Sequence, residues 1–328
     1  MPRQRCSPAP FPPAAGAAEG EQRGEVDASL RLGLTSLFTA RRPRSASSGA
    51  SFAVGDALAR AWERLARAGV DEPRLVAELL LARALGRART WLHAHPEATV
   101  PTDAAGRFAA LVARAARHEP LAYILGVREF YGHTFLVRSG VLVPRPETEV
   151  LVEVALARLQ RPEPRVADVG CGCGAVAISV ALARRDARVV ALDRSARAVQ
   201  VSRCNAQRLR AAHVAVVRGD LLAPLRGPVD AVLANLPYLT SREMRRLPPA
   251  LRREPRAALD GGPDGLALYR RLLPQAATLL RAGGLCAFEI GPAQSRAARA
   301  LAAATWPAAR VGVVRDYAGR DRVVAVEL

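Results

Sequence analysis

Asn235, Leu236, Pro237 and Tyr238 follow one another at the end of an apolar run, Val229-Asp230-Ala231-Val232-Leu233-Ala234. A run of that length closed by a turn signal predicts a buried strand opening into a loop, so the four residues belong on a rim. Their types can grip an amino group. The Asn carboxamide offers one strong acceptor and two donors. Pro237 stiffens the turn and leaves main-chain carbonyls pointing outward, while Tyr238 presents a flat face for a planar group. Together they can hold an NH2 by both of its hydrogens. Four residues alone more often make a plain strand exit with a core tyrosine, so the reading depends on what else reaches the same rim.

Three further stretches reach it. Val166-Ala167-Asp168-Val169 has strand character and breaks into Gly170-Cys171-Gly172-Cys173-Gly174, followed at once by an apolar helical segment, Ala175–Ala183. Strand, glycine loop and helix in that order let a ligand approach the backbone closely, facing a helix N-terminus. Gly170, Gly172 and Ala175 also satisfy the dinucleotide pattern G-x-G-x-x-G/A, so a nicotinamide enzyme is an alternative. Asp168 weighs against it: a carboxylate there attracts the ammonium of an amino-acid-bearing ligand and repels a pyrophosphate. The next apolar run, 188–192, ends in Asp193, about twenty residues beyond the glycines, where an acid can accept from both hydroxyls of a ribose. Residues 213–217 lead to Gly219-Asp220-Leu221, an acid for an adenine amino group and a leucine to pack on the ring. Each stretch ends a strand, on the side where open parallel sheets bind ligands.

The elements that must hold these residues alternate strand and helix, which predicts an α/β doubly wound parallel sheet. Ahead of it, residues 1–50 carry Pro8, Pro10, Pro12, Pro13 and an Arg- and Ser-rich run at 41–49 with no sustained apolar period, and a disordered tail is expected. Residues 51–119 show helical spacing, with Pro73 placed to start one helix and Thr102 or Asp103 to cap another. Residues 120–149 are expected to form a hairpin linker in which 121–125 and 135–137 flank Gly126 and Gly132. The linker ends in Val143-Pro144-Arg145-Pro146-Glu147-Thr148-Glu149, from which Thr148 or its acidic neighbours can begin a helix. Residues 150–328 form the sheet domain. Within it, 241–255 is a long Arg- and Pro-rich crossing, either a cover for the site or a solvated loop, and Asp260-Gly261-Gly262-Pro263-Asp264-Gly265 is a turn.

Composition sets the bounds. The chain has 328 residues, 50% of them hydrophobic, enough for a large core. No apolar run reaches the roughly 18 residues of a membrane helix, and no membrane association is expected. The net charge of +18 would ordinarily point to nucleic acid. However, every one of the 48 basic residues is arginine, beside abundant Ala, Pro and Gly, as coding bias would produce, so a dispersed solvated surface is expected and no stable nucleic-acid partner. Five cysteines, an odd number, fit a reducing cytoplasm; Cys171 and Cys173 are one residue apart, closer than zinc or redox pairs, and no metal site is expected.

The combination Asp168-x-Gly-x-Gly-x-Gly, Asp193, Asp220 and Asn-x-Pro-Tyr resembles class I S-adenosylmethionine-dependent methyltransferases that act on planar amino groups. Gly126-Val127-Arg128-Glu129-Phe130 and the Pro-Arg-Pro-Glu-Thr-Glu segment narrow the resemblance to the peptide chain release factor glutamine methyltransferase (HemK/PrmC-like) family, over about residues 53 to 328 and including Arg315-Asp316-Tyr317 and Arg322-Val323-Val324. That resemblance implies a seven-stranded Rossmann-like sheet whose last strand runs antiparallel, an N-terminal helical domain that recognises substrate, and S-adenosyl-L-methionine as cofactor. The implied methyl acceptor is the glutamine of the Gly-Gly-Gln loop in class I release factors, and a monomer is expected. Cofactor residues would be Asp168, Gly170, Cys171, Gly172, Cys173, Gly174, Asp193, Asp220, Leu221 and Asn235. Asn235, Leu236, Pro237 and Tyr238 would hold the amide, with Phe130 either an opposite wall or simply hairpin core. The family usually has Asn-Pro-Pro-Tyr; Leu236 keeps the main-chain carbonyl and gives up some preorganisation, so activity is expected to persist. An adenine-amino methyltransferase of DNA or RNA shares the Asn-x-Pro-Tyr logic, and a non-catalytic binding module is the third reading.

Overall fold

The computed structural model describes residues 52–328, so the tail expected over 1–50 lies outside the described residues. Four helices come first: α1 (Val54–Arg67), α2 (Pro73–Leu85), α3 (Arg89–Ala94) and α4 (Thr102–Ala115). Their apolar faces meet in one cluster around Leu65, Leu80, Leu81, Leu92 and Phe108. Pro73 does occupy the first turn of α2, where its missing N–H leaves no bond unmade. Neither Thr102 nor Asp103 caps α4. Extended Pro101 takes the cap position, Thr102 is already helical, and Asp103 instead accepts from Arg107 one turn on, at 2.7 Å.

The linker differs from expectation at its start. Residues 121–125 are not a strand but a short helix, α5 (Leu121–Leu125), because Pro120 opens it and left-handed Gly126 closes it after a single turn. The hairpin is built one step later from β1 (Val127–Phe130) and β2 (His133–Leu136), joined through Tyr131 and Gly132, which both have positive φ as a tight two-residue hairpin turn requires.

The remainder is the layered sheet, built from α6 (Glu149–Arg158), β3 (Arg165–Val169), α7 (Ala175–Ala183), β4 (Arg188–Asp193), α8 (Ala196–Arg208), β5 (Val214–Arg218), β6 (Val229–Ala234), α9 (Ser241–Met244), α10 (Ala267–Leu279), β7 (Leu280–Glu289), α11 (Ser295–Thr305), β8 (Arg310–Arg315) and β9 (Asp321–Glu327). The strand order is β5-β4-β3-β6-β7-β9-β8. β3 to β7 are parallel, and β9 runs antiparallel between β7 and β8. Helices α6, α7 and α8 cover one face, and α10 and α11 the other. All six residues of β6 are therefore buried, which explains an apolar run without alternation. The chain order reverses between β3 and β6, so their carboxyl ends open side by side into a crevice. Among the described residues no helix is long and apolar enough to cross a membrane.

Candidate active site

The crevice is lined from β3 by Asp168 to Cys173, from β4 by Leu192 to Ser195, from β5 by Gly219 to Leu221, and from β6 by Asn235 to Pro237. After β3 the chain turns sharply: the N–H groups of Gly170 and Cys171 both donate to the Leu192 carbonyl, at 2.8 and 2.9 Å, and Gly174 donates to the Cys171 carbonyl at 2.7 Å. Gly170 has φ +77°, and a Cβ there would come within 2.8 Å of Leu236 Cδ2. The left-handed φ is what calls for a glycine here, and the Leu236 side chain packs into the space a Cβ would take. Gly174, the left-handed cap of α7, stands just outside the lining.

Asp168 is 2% exposed, and the one donor it meets among the described residues is the Ala177 N–H in the first turn of α7, at 3.0 Å. Burial raises its carboxyl to about 7, the Ala177 bond opposing and the charge of Asp193 adding to the rise. It is a buried acid facing the crevice, and among the described residues no cation pairs with it. Asp193 accepts from the N–H groups of Gly172 at 3.0 Å and Ser195 at 2.8 Å, which ties the glycine turn to the start of α8. Burial lifts its pKa as well. Asp220 pairs with Arg271 of α10, and Leu221 is held at φ +50°, a left-handed conformation costly for a residue with a Cβ.

At the β6 corner Asn235 Nδ2 donates to Thr148 Oγ1 at 2.9 Å, which leaves Oδ1 as the end of the amide not bonded to Thr148. Leu236 is 4% exposed, its side chain over Gly170 and its N–H donating to the Tyr269 hydroxyl at 3.1 Å. The Tyr269 hydroxyl donates in turn to the main-chain carbonyl of Glu289. A proline at 236 has no N–H for this chain of bonds. Tyr238 lies behind the lining, its phenol raised by burial and by the neighbouring Glu289 charge, and its carbonyl accepts from Gln294 Nε2 at 2.7 Å. The turn at 260–265 presses against it: a Cβ on Gly265 would fall 2.1 Å from the Tyr238 carbonyl oxygen.

The structure does not bring Phe130 to this crevice. Its side chain is 1% exposed and packs edge-on against Phe135, ring centroids 6.1 Å apart, so the hairpin end of β1 is core and the expected opposite wall is missing from that position. The wall comes mostly from residues not singled out for the site, though a cover for it was one of the two roles expected of the crossing at 241–255. Gly140, Val141, Leu142, Pro144 and Thr148 line one side, and Pro255, Ala257 and Ala258, at the end of the long crossing, line the other. Glu254 joins the two sides: its buried carboxylate accepts from the Val143 N–H at 3.0 Å and pairs with Arg145. Thr148 does not cap α6 with its hydroxyl, which is taken by Asn235.

Residues 56–126 match the family model described as the PrmC N-terminal domain, and residues 146–262 match the Methyltransferase small domain. The release factor glutamine methyltransferase of Moorella thermoacetica is 48% identical over 269 residues, covering 81% of this chain and 95% of that protein. The protein of the same description from Cereibacter sphaeroides is 43% identical over 278 residues, covering 84% and 98%. The solved protein-(glutamine-N5) methyltransferase (release factor-specific) from Alicyclobacillus acidocaldarius is 30% identical, with a TM-score of 0.37, covering 59% of this chain and 98% of that one. On the Moorella and Cereibacter relatives, 48% and 43% identical over 95% and 98% of their lengths, the chain belongs to the release factor glutamine methyltransferase family.

Proposed function

We propose that this chain methylates the side-chain amide nitrogen of the glutamine in the Gly-Gly-Gln motif of class I peptide chain release factors, with S-adenosyl-L-methionine as the methyl donor. The observation that carries it is the Asn235 amide, its nitrogen engaged by Thr148 and its oxygen left over at the rim of a glycine-lined crevice. The residues fit the cofactor: unpaired, buried Asp168 suits an ammonium, Asp193 a pair of ribose hydroxyls, and Leu221 an adenine face. When bound, S-adenosylmethionine supplies an electrophilic methyl on a sulfonium.

The acceptor chemistry falls to Asn235 and Leu236. An amide nitrogen is a weak nucleophile because its lone pair is delocalised into the carbonyl. If Asn235 Oδ1 and the Leu236 carbonyl each accept one N–H, the nitrogen is held with its lone pair directed away from both, and both dipoles stabilise the positive charge that develops on it. No strong base is needed, since the proton becomes acidic only as transfer proceeds. Pro237 and Tyr238 stiffen the acceptor pair. The helical segment at 51–119 is taken as the substrate-recognition domain of a monomeric, cytoplasmic enzyme.

The test supplies methyl-labelled S-adenosylmethionine with a class I release factor, with duplex DNA and with ribosomal RNA. Label is expected on the release factor alone. Label on an adenine of either nucleic acid, with the release factor unmodified, would replace this reading with the nucleic-acid one.

A further inference from the structure

Behind the Asn235 corner lies a carboxylate that the reaction as described does not use. Glu289, the last residue of β7, is 0% exposed, and neither of its oxygens has a formed hydrogen-bond partner among the described residues. The hydroxyls of Thr148 and Tyr238 are the donors that bear on it. Arg322 of β9, itself buried and paired with Asp316 at 3.0 Å, supplies the nearby positive charge, and Glu147 a nearby negative one. Tyr269 of α10 reaches only its main-chain carbonyl. A buried acid is costly unless its charge is wanted in place.

We propose that Glu289 and Thr148 are positioning residues for Asn235: the Glu289 carboxylate orients the Thr148 O–H, and the Thr148 oxygen then accepts the Asn235 amide N–H and holds Oδ1 toward the substrate. The chemistry of the three groups fits one direction of donation. A hydroxyl has one hydrogen and two lone pairs. If the hydrogen goes to Glu289, the oxygen turns its lone pairs to Asn235 Nδ2, and a flipped Asn235, with oxygen facing oxygen, is disfavoured. Arg322 keeps the net charge of the pocket low enough for the acid to ionise. Burial raises the Glu289 carboxyl to about 7, against the pull of Thr148, Arg322 and Tyr238 and with a small rise from Glu147. Below that pH a protonated Glu289 is a weaker acceptor and can itself donate to the Thr148 oxygen, so the ordering of Asn235 is strongest above it.

This deepens the functional reading and rests on it for its kinetic readout, so the test includes one measurement that does not depend on activity. The chain contains two asparagines, Asn205 and Asn235. Labelling the full chain with [15N]asparagine therefore gives two side-chain NH2 pairs, and Asn205, whose Nδ2 donates to the Leu136 and Cys173 carbonyls, is an internal control. In Thr148→Val the Asn235 pair is expected to lose its protection from solvent exchange while Asn205 keeps its own. Thr148→Ser should restore it. With a release factor as acceptor, Thr148→Val is expected to lower kcat by about 10- to 100-fold with cofactor affinity within twofold, and Thr148→Ser to recover most of it. Glu289→Gln should flatten the rise of kcat through pH 7. Unchanged Asn235 protection in Thr148→Val, or a pH limb near 7 that survives in Glu289→Gln, overturns the proposal. A wild-type chain that labels no release factor but loses Asn235 protection in Thr148→Val overturns the functional reading and keeps the positioning.

Discussion

The two halves of the crevice are built by different physics. The half from β3 to β5 is local: a strand, a glycine turn and a helix start, tied together by main-chain bonds from Gly170 and Cys171 to Leu192 and by Asp193 to Gly172 and Ser195. The half around Asn235 is assembled over long range. Its amide is set by Thr148, 87 residues away, its neighbour Leu236 is held by Tyr269, 33 residues away, and its flank is tied by Glu254 to Val143, 111 residues away. The contrast teaches that a site for a cofactor can be encoded in short contiguous motifs, whereas the orientation of a single reacting amide depends on the whole domain being folded.

That contrast can be broken at several strengths. The largest effect is expected from Asn235→Ala, which removes an acceptor used in the transition state. Turnover should fall by about 10³-fold or more while S-adenosylmethionine affinity, measured by calorimetry, stays near wild type. Asp168→Asn belongs to the other half and should do the reverse. Cofactor affinity falls by about 10- to 100-fold through loss of a charge-assisted contact, with a smaller effect on kcat at saturation.

Acidity sharpens the same division. Because the Asp168 carboxyl is raised to about 7, the free protein must release a proton from it to bind an ammonium below that pH. Cofactor affinity is therefore expected to fall as pH drops below 7, by up to about tenfold per unit, and to level off above it. Stability carries the opposite sign. A raised carboxyl contributes stability that is whole below the ordinary aspartate range and is lost as pH rises to about 7, so Asp168→Asn should match wild type in thermal unfolding at acidic pH and exceed it at pH 8.

The smallest effect concerns Leu236. Tyr269→Phe removes a hydroxyl worth about 0.5–1.5 kcal/mol per bond, and kcat is expected to fall several-fold. In a Leu236→Pro background, where no N–H needs holding, the same change should cost less, and a double-mutant cycle measures the difference. Equal costs in both backgrounds would separate the Tyr269 hydroxyl from the conformation of Leu236.

Legibility in the sequence follows the same line between local and distant. The sheet domain, the glycine turn, Asp168, Asp193 and the loop after β6 announce themselves because each is a contiguous pattern with its own period or turn chemistry. Residues 121–125 misled because five apolar residues fit a strand or one helical turn equally, and the flanking Pro120 and Gly126 decide between them. Phe130 stayed open between wall and core for another reason: alternation along a four-residue strand does not say which face meets a core until Phe135 is seen opposite. Thr148, Glu254 and Glu289 carry no local signature, since an acid or hydroxyl beside a strand end is ordinary until a partner more than a hundred residues away, or a buried neighbour, gives it a task.

The tie made by Glu254 sets what can pass the mouth of the crevice. Moving its two lips apart would strip the Glu254 carboxylate of the Val143 N–H and the partly exposed Arg145 guanidinium, a loss of about 1.5–3 kcal/mol for a hydrogen bond to a charged group. Lips held that firmly behave as a gauge of fixed bore. A mouth of constant width is expected to favour a slender side chain on an extended loop over a folded surface, and release factor fragments of different size, supplied as methyl acceptors, check it.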